Sequence, residues 1–226
     1  HFVVDDGSSD GTKEAIKLNH KEVEVIIGNG QLYWAGGMRY GYEFINKQIE
    51  YDFLITYNND CIFYEDSIKY QINGFENERL NVGIVVGSLK SSNEKNQISY
   101  GGRKLRWKTK LLPPSFTLVQ PSKDKYIKVD ALNMNLCCIK KELLNNIGFL
   151  SEYCIHAVGD YDFGLNATKK GYSILLAPFI SGICDTNPEK GTSREKFINP
   201  IQRIKRVLSI KEYPYKQMKG YYRKHG

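Results

Sequence analysis

The chain has 226 residues, 41% of them hydrophobic, 12% aromatic and 25% charged, enough for one large or two small domains around a buried core. That composition excludes the disordered, collagen-like and coiled-coil classes, and no run approaches the roughly 18–20 apolar residues of a membrane-spanning helix. The formal charge of +7 is local: residues 194–226 hold ten Lys/Arg against two acids, while the first 193 hold 22 against 23. A nucleic-acid binder spreads or stripes its charge over the fold, so nucleic acid is not an expected partner.

In chain order, Phe2-Val3-Val4 reads as an apolar strand at once, and no signal peptide is expected. The pattern expects an earlier strand and helix in a longer natural protein. Asp5–Thr12 is an acid-rich turn, followed by a helix over Thr12–Asn19 and a strand over Val23–Ile27. A Gly28-Asn29-Gly30 loop leads into Ala35–Ile49, where Met38, Tyr42, Ile45 and Ile49 recur at helical spacing. Phe53–Tyr57 reads as a strand stopped by Asn58-Asn59-Asp60, Ser67–Glu78 as a helix and Val82–Val86 as a buried strand. This alternation predicts an α/β fold with a mostly parallel central sheet flanked by helices.

Residues 88–125 break the pattern as a turn-rich excursion. Val129–Ile139 is strand-like and Lys140–Ile147 helical. Asp160–Lys170 is a helix closed by Gly171, before a strand over Tyr172–Leu176. Two basic amphipathic helices, Asn199–Ile210 and Tyr215–Lys224, complete the chain. Five cysteines without regular spacing make no disulfide framework; reduced thiols in the cytoplasm are expected, with Cys137-Cys138 in the core.

Three acid-bearing turns stand out. Acids at the carboxyl end of a parallel strand lie where open α/β sheets bind ligands, so Asp5 and Asp6 are placed to accept from a nucleobase imide or a ribose hydroxyl. Ser8 and Asp10 are equally placed to cap the next helix. Asn58-Asn59-Asp60 offers oxygens to a hard divalent cation, but with one charge it needs a diphosphate to complete the shell. Gly159-Asp160-Tyr161-Asp162 puts two acids at a helix start, where the anion is favoured; one can cap and the other act as a base.

Taken together, these turns resemble the family-two glycosyltransferases with the GT-A fold, in the manner of polysaccharide and rhamnosyl transferases. Val4–Thr12 matches that family's V-D-D-G-S-x-D-G-T opening and Asn58–Asp60 its N/D-x-D motif. Asn146–Glu152 is similar to its "vGxFde" stretch, and Asp160, Asp162 and Gly171-Tyr172 to its acids and Gly-Tyr helix end. The resemblance runs to about residue 187. It implies a catalytic domain over 1–187 that lacks the usual first strand, and a basic helical extension over 188–226.

It further implies an inverting transferase moving a hexosyl or deoxyhexosyl group from a nucleoside-diphosphate donor, UDP or dTDP favoured. The acceptor is a hydroxyl of a saccharide or lipid-linked molecule in cell-surface polysaccharide synthesis. Asp160 is then the base, and Asp60 holds Mg²⁺ or Mn²⁺. Asp5, Asp6, Ser8, Asn29, Gly30 and Asn59 serve the donor nucleotide, and Trp107, Tyr161 and Asp162 the acceptor. The family's usual Glu before the base is Gly159 here. Its metal-binding His after the last strand is replaced by Ile183-Cys184-Asp185, where Asp185 is the alternative ligand. A catalytically degenerate sugar- or partner-binding module is the alternative reading. The basic tail suggests peripheral contact with the inner face of the cell membrane.

Overall fold

The computed structural model describes residues 1–93, 97–106 and 115–226. Two compact units interleave along the chain. The first holds His1–Glu50, Phe149–Gly159 and Glu189–Lys224; the second holds Tyr51–Gly148, Asp160–Pro188 and His225–Gly226.

In the first unit, β1 (Phe2–Asp5), α1 (Thr12–Asn19), β2 (Glu24–Ile27) and α2 (Tyr33–Gln48) follow in sequence. β1 and β2 pair in parallel, Val3 opposite Val25 and Asp5 opposite Ile27. Gly41 of α2 lies against β1, where an added Cβ would meet Val4 Cγ2 at 2.8 Å. Arg39 of α2 donates through Nη1 to the carbonyls of Ser151 and Cys154, at 2.9 and 2.6 Å, tying the 149–159 segment to this helix.

The second unit contains β3 (Phe53–Tyr57), β4 (Ile62–Phe63), α3 (Ser67–Asn73), β5 (Val82–Lys90), β6 (Ile98–Tyr100), β7 (Gly102–Arg106) and β8 (Ser115–Leu118). It continues with β9 (Ile127–Val129), β10 (Ala131–Leu132), β11 (Leu136–Lys140), α4 (Lys141–Ile147), α5 (Gly159–Lys169, from Asp160 on) and β12 (Ser173–Ile183). The main sheet runs β3-β11-β5-β12-β4, with β6 on β5 and β9 on β12; β10-β7-β8 form a smaller sheet.

The expected α/β class with a helix-flanked central sheet is present, but the sheet is mixed. β5 and β12 are parallel, whereas β11 lies antiparallel between β3 and β5. The reversal leaves β3, β5 and β12 pointing the same way, so their carboxyl ends share one edge. The strand-like 129–139 run is three strands, because Asp130 and Asn133–Asn135 interrupt it. The tail helices are α6 (Pro200–Val207) and α7 (Tyr215–His225), and they belong to the first unit up to Lys224.

The core of the second unit is an apolar slab: Ile84, Leu89, Leu136, Ile139, Ile174 and Leu176 are fully buried. Each such side chain is worth roughly 1.5–3 kcal/mol in area terms. All five cysteines are free thiols, and Cys137 and Cys138 are buried in β11 as expected.

β4 is only two residues long and depends on a close approach. A Cβ at Gly182 of β12 would sit 2.2 Å from the Ile62 carbonyl oxygen. Gly182→Ala should therefore push β4 off the sheet and cost about 1–3 kcal/mol, an overpacking penalty. Urea unfolding checks this; unchanged stability would contradict the close packing of β4.

Candidate active site

In the second unit, Asp160 occupies the first turn of α5, half-buried. Its Oδ2 accepts from Asn133 Nδ2 at 3.0 Å and its Oδ1 from the Tyr161 N–H at 2.9 Å. Burial pushes its carboxyl above the usual range, while the Asn133 and Tyr161 hydrogen bonds and the Arg103 charge pull it back. Asn133 is itself oriented, because Arg103 Nε donates to its Oδ1 at 2.8 Å. The Arg103–Asn133–Asp160 chain holds a carboxyl group that is desolvated yet hydrogen-bonded as the anion, with these two influences opposing each other.

Tyr161 stacks on Phe116, with ring centroids 4.7 Å apart, and the Arg103 guanidinium lies 5.6 Å from its ring centroid. Asp162 differs from its expected setting: it is fully buried, accepting from Asn166 Nδ2 at 3.1 Å and lying 2.6 Å from His225 Nε2. Trp107 lies outside the described residues.

At the shared strand edge, Asp60 follows β3 and is exposed, as is Asn59. Its Oδ1 lies 3.6 Å from both Cys61 Sγ and Cys184 Sγ. Burial raises both thiols above their usual range. Asp185 is drawn away from this cluster: its oxygens accept from the Ser91 hydroxyl at 2.8 Å and from Ser92 N–H and hydroxyl at 2.7 and 2.6 Å. Those bonds hold its carboxyl below the usual range. Asp60, with its neighbouring sulfurs, is thus the better-placed cation ligand.

In the first unit, Asp5 is buried and accepts from the Ser8 N–H at 2.8 Å; hydrogen bonds from Ser8 hold its carboxyl below the usual range. Asp6 clamps the following loop, accepting from the N–H groups of Gly30 at 2.8 Å, Leu32 at 2.7 Å and Tyr33 at 3.3 Å. A Cβ at Gly28 would fall 2.5 Å from Asp6 Oδ1, so glycine there permits the clamp. Asn29 accepts from the Gln31 N–H at 2.9 Å. Asp10 braces the start of α1 by accepting from Thr12 N–H and hydroxyl at 3.1 and 2.6 Å.

Sequence reasoning missed Arg103, Asn133, Phe116 and Asn135. The one usable signal was two asparagines inside an apolar run, since buried amides need partners.

Asp5 carries a pH prediction. A carboxyl held low by folding contributes stability that is present above the unfolded value, about 3.9, and lost as pH falls through the folded value. Asp5→Asn should lower the melting temperature at pH 7, with the gap to wild type closing below about pH 4. A gap independent of pH would contradict the role of its charge.

The sequence profile of glycosyl transferase family 2 matches residues 2–127, more than half of the chain. Among solved structures, the mannosyltransferase PcManGT from Pyrobaculum calidifontis, in complex with GDP-Man and Mn²⁺, aligns with a TM-score of 0.58 at 13% identity. That alignment covers 100% of this chain and 55% of that one. GalNAc-T7 with UDP, GalNAc and Mn²⁺ gives 0.64 at 15% identity, over 92% and 41%. TarS 1-349 from S. aureus gives 0.53 at 16%, over 81% and 50%. The chain spans about half the length of these structures, and at such identities the likeness shows a shared fold. No curated protein gives a significant match. With the family profile matched over more than half of its length and the GT-A fold shared with these structures, this chain belongs to glycosyl transferase family 2.

Proposed function

We propose that the chain is the catalytic part of an inverting, cation-dependent glycosyltransferase. It moves a hexosyl or deoxyhexosyl group from a nucleoside-diphosphate donor, UDP or dTDP favoured, to a hydroxyl of a saccharide or lipid-linked acceptor in cell-surface polysaccharide synthesis. Asp160 carries this reading. Its burial, its Asn133 hydrogen bond and its place in the first turn of α5 suit a carboxylate that takes a proton from an attacking hydroxyl. A single displacement from the opposite face inverts the anomeric carbon.

The donor set at Asp60 fits a divalent cation, and the Mn²⁺ seen in PcManGT and GalNAc-T7 supports one here. Such an ion supplies charge neutralisation on the departing diphosphate. Asp60 would hold it, and Asn59 is exposed beside it for the phosphates. Asp5, Asp6, Ser8, Asn29 and Gly30 serve the nucleoside, in part by fixing the loop backbone with the Asp6 clamp.

Asp160→Asn should lower sugar transfer by about 10²–10⁴-fold while nucleotide binding is retained. The acid limb of the wild-type rate profile should lie above the ordinary carboxylate range. Asn133→Ala, which removes a donor to the anion, should move that limb to higher pH. Full turnover in Asp160→Asn would remove Asp160 from this role.

Residues 1–187 would carry the chemistry, and 188–226 would hold it on an anionic membrane surface. No helix among the described residues is long and apolar enough to cross a membrane. On α6 and its C-cap, Ile201, Ile204 and Leu208 recur at helical spacing and are exposed, flanked by Arg203, Lys205 and Arg206. An apolar stripe edged by cations suits the plane of a membrane interface. Ile201→Glu/Ile204→Glu should abolish flotation with anionic vesicles; equal flotation of this variant and wild type would defeat the idea.

A further inference from the structure

We propose that Asp60, Cys61 and Cys184 form a three-ligand site for a thiophilic divalent cation, Zn²⁺ in particular, with its fourth position open to solvent. The inference rests on reading Asp60 as a cation ligand and names the kind of ion the site selects.

The strand pairing creates the cluster. β4 and β12 are antiparallel, with Phe63 opposite Gly182 and Ile62 opposite Ile183, so the next residues outward, Cys61 and Cys184, face each other. Gly182 holds the two strands in contact. Asp60 closes the group, and one ligand atom from each of the three residues lies within 4.8 Å of the others.

The distances are those of a coordination shell. Around a tetrahedral Zn²⁺ with Zn–S near 2.3 Å and Zn–O near 2.1 Å, sulfur and oxygen ligands are separated by about 3.6 Å. Asp60 Oδ1 lies 3.6 Å from each sulfur. Such a separation is long for a hydrogen bond but needs little movement to become two edges of a tetrahedron.

The surroundings support the sulfurs as ligands. Buried Asn135 donates through Nδ2 to Cys184 Sγ at 3.6 Å, the kind of outer hydrogen bond that orients a ligating thiolate. The exposure gradient is also that of a reactive site. Cys184 is 1% exposed and Cys61 half-buried, while Asp60 faces solvent. Three protein ligands and one open position describe a zinc site that can still accept an outside oxygen, such as one from a diphosphate.

Ligand softness then decides the ion. Thiolates select Zn²⁺ over Mg²⁺ and Mn²⁺, which favour all-oxygen shells. Binding forms two metal–sulfur bonds and one metal–oxygen bond, breaks two S–H bonds and releases both protons to solvent, with no change of oxidation state.

Co²⁺, which mimics Zn²⁺ and reports thiolate ligands by a near-ultraviolet charge-transfer band, tests this on the full chain kept reduced with a phosphine. The band should saturate at one ion per chain, vanish on adding Zn²⁺ and survive excess Mn²⁺. Cys61→Ser and Cys184→Ser should each weaken binding by more than the about 10–100-fold cost of losing an outer-shell partner. The double variant, which keeps Cys137, Cys138 and Cys154, should show no band.

No band in wild type, or a band that persists in the double variant, overturns the proposal. If Cys184→Ser does not fold, the wild-type stoichiometry and the half-buried Cys61→Ser decide. Stabilisation by a nucleoside diphosphate with Mn²⁺ but no cobalt band would sink this inference and leave the donor reading standing. A band without any nucleotide effect would support the ion site and sink the donor reading.

Discussion

Two buried amides constrain the second unit. Asn133 and Asn135 are each 8% exposed, and a buried amide left unpaired costs several kcal/mol by transfer measures. The partners they find include the carboxylate and the thiols on which the proposals rest. Asn133 takes Asp160 on one side and Arg103 on the other. Asn135 reaches Cys184 through its side chain, while its carbonyl accepts from the Asn58 N–H at 3.3 Å and lies 3.7 Å from Cys61 Sγ. Satisfying one short segment before β11 therefore fixes the acid and the thiol cluster together.

That segment is possible because β11 runs against β3 and β5. Strands of one direction place their carboxyl ends on one edge, which in open α/β sheets is where ligands bind. β3 leads there to Asp60, β5 to the serines that hold Asp185, and β12 to Cys184. The reversed β11 begins at that same edge, which is how Asn135 arrives among them. Side chains on rigid strand ends need little reordering when a ligand binds, which favours precise chemistry over adaptable binding.

Much of this was legible in the sequence where the signal was local. Helix α1 and strand β3 coincide with their expected spans, because an acid-rich turn and an apolar run are read within a few residues. Asp160 was visible as an acid at a helix start. What stayed hidden depends on long separations. Arg103 meets Asn133 across 30 residues, and Asp162 meets His225 across 63, with no local pattern to announce either. Asp6 looked free for a nucleobase, yet it binds backbone 24 to 27 residues away. Strand β4 has two residues and no periodicity, so the register that opposes Cys61 and Cys184 could not be read.

The central claim is that this scaffold binds a nucleoside diphosphate through a cation at Asp60. A ligand that binds only the folded state must raise the melting temperature by mass action. The direct measurement is thermal unfolding with UDP, dTDP, GDP and CDP in turn, each with a divalent cation and with EDTA, on wild type and Asp60→Asn. The account predicts a rise with one or two of these nucleotides that needs the cation and is lost in Asp60→Asn. No rise with any nucleotide, or a rise indifferent to both EDTA and Asp60→Asn, would contradict it.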